Sequence, residues 1–247
     1  GVAAGNAFGS CGAGSPSVSA PVGQSLPNTG PTGQNYPLTH AGLQLPQRAE
    51  SLDPNAVRGV FPKGKGVWMF GGPNVEEKLQ LCLANDVHWI AVMTINQAKT
   101  PTRVTSLDLL KKYGEAFLSK GIYVYHWGWP EPGKDEEFVN TIITNALQSG
   151  ASGVIADPEA PYERLGAEGA YQAAFKSGQL LINECKRNGL LSGFTSYGAL
   201  AVPTFAFAKR DRWYRGYQGV DMCFPQVYGG NGHYKSLWPR TNFDYWT

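Results

Sequence analysis

An alternation of short apolar runs with helix-like stretches constrains this chain more than anything else in it. Six such runs follow one another from about residue 63: GVWMFGG (66–72), HWIAVMT (88–94), GIYVYHWGW (121–129), GVIADPE (153–159), LSGFTSYG (191–198) and GVDMCFPQVYGG (219–230). WIAVM and GVIA are apolar at every position, as strands buried on both faces are. Strands that recur with a helix between them pair in parallel, because each crossover returns the chain to the same end of the sheet.

The stretches between them have helical spacing. VEEKLQLCLAND (75–86) carries Glu76 and Glu77 in its first turn, where acids suit the helix dipole. In SLDLLKKYGEAFLSKG (106–121), Leu110, Tyr113 and Phe117 share a face, Thr105 or Ser106 can cap the start, and Gly121 can end it. Phe138, Ile142 and Ala146 recur every fourth residue in 136–148. In 168–188, Tyr171, Phe175, Ile182 and Cys185 are expected on the inner side. FAFAKRDRWYRG (205–216) can form a short helix.

Two α/β architectures satisfy this order: an open doubly wound sheet and a closed (β/α)8 barrel of the TIM type. No GxGxxG follows the first strand and no P-loop is present. Residues with binding or catalytic chemistry fall at the ends of several strands. An open sheet gathers its site at one switch point, whereas a barrel draws it from many strand ends. The expected fold is therefore a TIM-type barrel with six βα-like units visible. The residues after 230 are too few for two more units, so the expectation is an incomplete barrel, a fragment, or a gap filled by another segment.

Residues 1–55 read as an arm or linker and 56–247 as the barrel domain. The stretch GSCGAGSPSVSAPVGQSLPNTGPTGQNYP is dominated by Gly, Ser and Pro and cannot bury enough surface to offset its own ordering. It is expected to be a flexible tail, or an arm that orders against a partner chain, and its Gly and Pro content makes it a poor strand donor. The chain starts at Gly1 with no charged and apolar leader pattern, as a processed product or a fragment would.

The 247 residues hold 21 basic and 19 acidic side chains, a net charge of +2 with no basic run. Nothing in this points to nucleic acid. No apolar stretch reaches the ~20 residues of a membrane span, so no membrane insertion is expected. Cys11, Cys82, Cys185 and Cys223 form no CxxC or Cys/His cluster, so neither a metal nor a cofactor is expected, and buried free thiols are favoured over disulfides.

Four strand ends carry candidate chemistry. Asp157 and Glu159 flank Pro158, and period-2 alternation points both carboxyl groups the same way. Held together they repel and one pKa rises, which yields a general acid beside a charged carboxylate, as glycoside hydrolysis requires. A strand end whose acids cap a loop or bind a cation is the alternative. His126, Trp127 and Trp129 end the third strand, where indole rings can stack on sugar faces or pack under a loop. Gln226 and Tyr228 share a face on the sixth strand and can hydrogen-bond a carbonyl or N-acetyl group. Thr195-Ser196-Tyr197 ends the fifth strand, with Tyr197 a candidate pocket wall.

The DPE strand end, the aromatic strand ends and the PQVY run resemble TIM-barrel glycosidases of the family 25 lysozyme and family 18 chitinase type. The likeness covers about 66–230 at the level of pattern. It implies that Glu159 is the general acid, that Asp157 orients or stabilises the N-acetyl group, and that Tyr228 contacts that group. It also implies a glycan polymer such as peptidoglycan or chitin as partner, and an extracellular setting or assembly. Two positions depart from these families: the first strand reads Trp68-Met69-Phe70 where family 25 has an Asp, and Ile155 stands where chitinases have a further acid. The expected function is glycoside hydrolysis. A non-catalytic carbohydrate-binding or structural module on the same scaffold is the alternative.

Overall fold

The computed structural model describes residues 4–6, 51–197 and 216–226. It is an α/β fold built on one curled sheet. Six strands run parallel: β2 (Lys65–Met69), β3 (Trp89–Asn96), β5 (Tyr123–Trp129), β6 (Gly153–Ala156), β7 (Leu191–Tyr197) and β8 (Met222–Gln226). They neighbour one another in chain order, β2-β3-β5-β6-β7-β8. An open doubly wound sheet would reverse direction at a switch point, and this one never does. The architecture is a parallel half-barrel of the TIM kind.

Helices α1 (Val75–Ala84), α2 (Leu107–Leu118), α3 (Asp135–Ser149) and α5 (Gly166–Arg187) fill the crossovers. The expected inner residues Leu110, Tyr113, Phe117, Phe138, Ile142 and Ala146 are all fully buried. They join Ile90, Val92, Val124 and Val154 in the layer between sheet and helices. The concave face holds a second cluster: Trp89, Ala91, Met93, Tyr125, Trp127, Ile155, Leu191, Met222 and Phe224. Period-2 alternation along buried strands produces these two clusters.

Several expectations are corrected. Phe175 is exposed and Tyr171 is half-buried beside it, so neither lies on the inner face of α5. That face is built from Ala170, Ala174, Ser177, Leu181 and Cys185. Small residues are needed there because the backbone of Gly216 runs against the helix: a Cβ on Gly178 would lie 2.4 Å from the Gly216 carbonyl oxygen. The sixth-strand cysteine, Cys223, is disulfide-bonded, whereas Cys82 and Cys185 are buried free thiols as expected. A strand cysteine packs alike in either state, so its apolar setting carried no sign of oxidation. β1 (Ala4–Asn6) pairs antiparallel with Lys65, Gly66 and Val67. This start of the arm does donate a strand, its three residues preceding the Pro-rich stretch. Two further elements had no sequence signal: the short β4 (Arg103–Val104), antiparallel to β3, and α4 (Ala160–Glu163). The FAFAKRDRWYRG stretch lies outside the described residues except for its last glycine. No helix among the described residues is long and apolar enough to cross a membrane.

Helices α2 and α3 meet where Gly114 faces Ser149. A Cβ at Gly114 would sit 1.9 Å from the Ser149 carbonyl oxygen, which is backbone and cannot swing away. Gly114→Ala is expected to destabilise the fold by about 1–3 kcal/mol through overpacking. Thermal unfolding checks this; a melting temperature equal to that of the parent chain would show that the helices have room to separate.

Candidate active site at the carboxyl rim of the sheet

All six parallel strands deliver their C-terminal ends to one rim of the half-barrel. Strand β6 closes its ladder at Ala156, and the next three residues, Asp157, Pro158 and Glu159, run on before α4 begins. The Asp157 amide still donates to the Gly128 carbonyl at 2.9 Å, so the segment stays in line with the sheet. Ile155 lies on the concave face, and alternation carries Asp157 and Glu159 to that same side. Gln226, at the end of β8, donates from Nε2 to Asp157 Oδ1 at 2.9 Å and to Glu159 Oε1 at 3.0 Å. One amide therefore gathers both carboxyl groups.

Asp157 is buried and Glu159 is half-buried. Burial pushes the Asp157 carboxyl well above the usual carboxylate range, and repulsion from Glu159 adds to the rise. A hydrogen bond with Glu159 raises it further, while Trp129 and Gln226, as donors facing the carboxylate, pull the other way. Asp157 therefore holds a proton more tightly than an exposed aspartate does, beside a Glu159 that is half-buried at the rim.

Aromatic rings wall the concave face beside this pair. Trp127 meets Trp68 edge-on at 5.6 Å and Trp129 at 4.8 Å between ring centroids. Phe70 packs 5.6 Å from Trp127 and 6.0 Å from Trp129, yet it is 52% exposed. An apolar ring left this open at the mouth of an aromatic cluster is suited to contact with a ligand face. Trp127 Nε1 is satisfied by the Met69 carbonyl at 3.2 Å. The Trp129 indole N–H faces Asp157 without reaching ordinary hydrogen-bond geometry. Asn96 pairs in register with Trp129, and its Oδ1 is buried without a hydrogen-bond partner. A donor and an acceptor therefore lie buried at adjacent strand ends beside Asp157.

The structure thus brings Asp157, Glu159, Gln226, Trp127 and Trp129 together. His126 is not with them. It lies on the helix side of β5, fully buried, with Nε2 3.0 Å from Ser149 Oγ on α3. Burial lowers its pKa to about 3, so the ring stays neutral. The correction is one of parity: His126 alternates with Trp127, so a strand that turns Trp127 to the concave face must turn His126 away. The Tyr197 backbone pairs with Gln226, and Tyr228 lies outside the described residues.

Four residues were not anticipated: Trp68, Phe70, Asn96 and Gln97. Trp68 and Phe70 have the same period-2 spacing as Trp127 and Trp129, a signal that was present in WMFGG. Gln97 was invisible because it acts at a distance: it takes the Glu131 amide on Oε1 at 2.9 Å and donates to the Lys134 carbonyl at 3.2 Å, holding the loop after Trp129. Among the described residues, no group of three or more His, Cys, Asp or Glu is arranged to hold a metal ion.

No family model and no curated protein matches the sequence. Solved structures do resemble the fold. The C-terminal domain of a candidate chitinase from Desulfitobacterium hafniense DCB-2 superposes with a TM-score of 0.56 at 16% identity, over 72% of this chain and 60% of that one. A class V chitinase from Nicotiana tobaccum gives 0.52 at 12% identity, over 73% and 61%. A mutant of that tobacco chitinase in complex with NAG4 gives 0.50 at 11% identity, over the same shares. The chain thus spans about three fifths of the length of these structures. At these identities the likeness establishes a chitinase-like fold.

The raised Asp157 pKa has a consequence for stability. The folded state holds this proton more tightly than the unfolded chain, whose Asp titrates near 3.9. Stability contributed by the group is therefore complete below about pH 4 and is lost as pH rises toward the folded pKa. Asp157→Asn keeps an acceptor for Gln226 and removes the ionisation. The variant is expected to gain stability relative to the parent as pH rises above about 4, by about 1.4 kcal/mol per unit of pKa rise. Melting temperature measured against pH checks this, and parallel curves for the two proteins would refute a protonated Asp157.

Proposed function

We propose that this protein is a glycoside hydrolase acting on a β-linked, N-acetylated glycan such as chitin or peptidoglycan. The observation that carries the reading is the contact of Asp157 and Glu159 with one Gln226 amide at an aromatic rim. Glycosidic cleavage needs a carboxylic acid to protonate the leaving oxygen and a second group to meet the positive charge that develops at the anomeric carbon. Glu159 is the half-buried member and is the one able to reach a substrate oxygen. Asp157 is the member that stores the proton.

In this scheme the proton held at Asp157 passes to Glu159 across their hydrogen bond, and Glu159 transfers it to the glycosidic oxygen as the bond from the anomeric carbon breaks, the electron pair leaving with the oxygen. Two carboxyl groups bonded to the same NH2 are separated by no more than about 6 Å, too little for the water that an inverting pair holds between its acids. The charge at carbon is met instead from the substrate's own acetamido oxygen, oriented by Asp157. Water then completes hydrolysis and returns a proton to Glu159. Phe70 and Trp129, the partly exposed rings of the wall, supply apolar surface for a pyranose face.

A second reading has a specific observation behind it. The end of β2 and the residue after it read Trp68, Met69 and Phe70, with no acid, and an aromatic-lined half-barrel without full catalytic equipment would serve as a glycan-binding or structural module on a glycosidase-like scaffold. Glu159→Gln separates the two. The hydrolase reading expects reducing-sugar release from chitin or peptidoglycan to fall by about 100-fold or more, with N-acetylated oligosaccharide binding retained. A folded parent protein that binds the oligosaccharide but releases no sugar would establish the module.

Phe70 gives an independent check on the aromatic wall. Phe70→Ala is expected to weaken binding of an N-acetylglucosamine oligosaccharide about tenfold, the worth of one ring contact, with no loss of thermal stability because the ring is half in solvent. Calorimetric titration measures the first and thermal unfolding the second. Unchanged affinity would take Phe70 out of the site.

A further inference from the structure

β7 lies between the two strands that carry the carboxyl groups and the amide, and it reaches both of them with side-chain hydroxyls. Ser196 Oγ donates to the Pro158 carbonyl at 2.8 Å. Thr195 Oγ1 donates to the Phe224 carbonyl at 2.5 Å. Both residues are almost completely buried, at 0% and 2% exposure. Pro158 is also buried and, as a proline, offers the sheet no N–H; its carbonyl sits between Asp157 and Glu159. A buried carbonyl left without a donor costs free energy, so the Ser196 hydroxyl holds the middle of the carboxylate segment where the β6 ladder has already ended. Thr195 pairs in register with Phe224, and Tyr197 with Gln226, so the second hydroxyl fixes β8 one alternation before the amide.

We propose that Thr195 and Ser196 are positioning residues for the candidate site: their hydroxyls set the separation between the Gln226 amide and the two carboxyl groups, one from each face of β7. Neither residue touches substrate. The inference rests on the proposed hydrolase reading for its effect on rate, and on geometry alone for its effect on the carboxyl pair. Its force comes from tolerance. A hydrogen bond of 2.9 Å that lengthens by about 1 Å is no longer a hydrogen bond, and Gln226 must satisfy two such limits at once.

The test follows the Asp157 carboxyl through its titration by carbon-13 NMR in the full chain and in single-hydroxyl variants. In Ser196→Ala and Thr195→Val the amide and the acids drift apart and water enters. Loss of the Gln226 donor alone would raise the Asp157 titration, but entry of water and relief from Glu159 act on its two larger causes, so it is expected to fall toward the ordinary carboxylate range. Thr195→Ser keeps a hydroxyl and is expected to leave it in place. Ser192→Ala is the control on the same strand: Ser192 is buried and bonds Asp221 Oδ2 at 2.8 Å at the opposite end of β7. It is expected to lower thermal stability without moving Asp157. In glycan cleavage the two loosened variants are expected to lose about 10- to 100-fold in kcat, with KM held within about twofold because the aromatic wall is untouched. An Asp157 titration that stays put in folded Ser196→Ala and Thr195→Val, or that moves equally in Ser192→Ala, overturns the proposal. A parent chain that cleaves no glycan would overturn the hydrolase reading instead, and the titration would still decide the role of the hydroxyls.

Discussion

Gln226 donating to Asp157 and Glu159 together is the contact on which the rest of the site depends. It spans from β8 to the end of β6 and passes over β7 between them. For one amide to meet both acids, three neighbouring strands must end at matching heights and curl toward each other. Parallel order supplies the first condition, since every strand of a singly wound sheet presents its C-terminal end to the same rim. Curl supplies the second. The concave face is packed with Trp89, Tyr125, Trp127 and Phe224, whose volume holds the strands in a curved row. In a closed barrel this interior is filled mostly by branched aliphatic layers. Here aromatic side chains do the filling, and at the rim they continue as Phe70 and Trp129, partly open to solvent. The same rings therefore serve as core at depth and as wall at the mouth.

Much of this was legible from alternation alone. WIAVM, GVIA and YVYHW named their own strands, and the helix faces at Leu110, Tyr113 and Phe117 and at Phe138, Ile142 and Ala146 are buried as spacing required. Alternation also placed Asp157 and Glu159 on one side of their strand, whereas the meeting of Gln226 with them comes from the fold. His126 marks the limit of proximity in sequence: it adjoins Trp127, yet period 2 sends adjacent residues to opposite faces, and His126 lies buried against Ser149. Phe175 failed for a different reason. Hydrophobicity pointed it inward, but close approach of the Gly216 backbone left space only for Ala174 and Gly178. Such steric limits come from elements far apart in sequence, and no local pattern carries them. The Cys223 disulfide and the edge strand Ala4–Asn6 are long-range in the same sense.

Electrostatics separates the two carboxyl groups more sharply than the sequence can. A DPE strand end offers two acids without saying which keeps a proton. Burial decides it: Asp157 loses its water, and its rise is led by that loss, with Glu159 next. Glu159 retains contact with solvent at the rim. The division of labour follows from depth. On the proposed hydrolase reading, the inner acid is the better store of a proton and the outer one the better donor, because protonation of a leaving oxygen requires reach before it requires affinity.

That division also fixes what the surrounding hydroxyls must do. A shared proton is useful only while the two acids stay within reach of each other, and their repulsion works against this whenever both ionise. The ladder of β6 stops at Ala156, so backbone pairing grips the segment only through the Asp157 amide. Pro158 cannot donate, and the Glu159 carbonyl accepts the Tyr162 amide of α4 at 2.9 Å. Between these two anchors the restraint is the Ser196 hydroxyl on the Pro158 carbonyl. The strained arrangement of two acids is thus borne by a strand that contributes neither of them. Precision at this rim is a property of β7, whose own described side chains carry no charge.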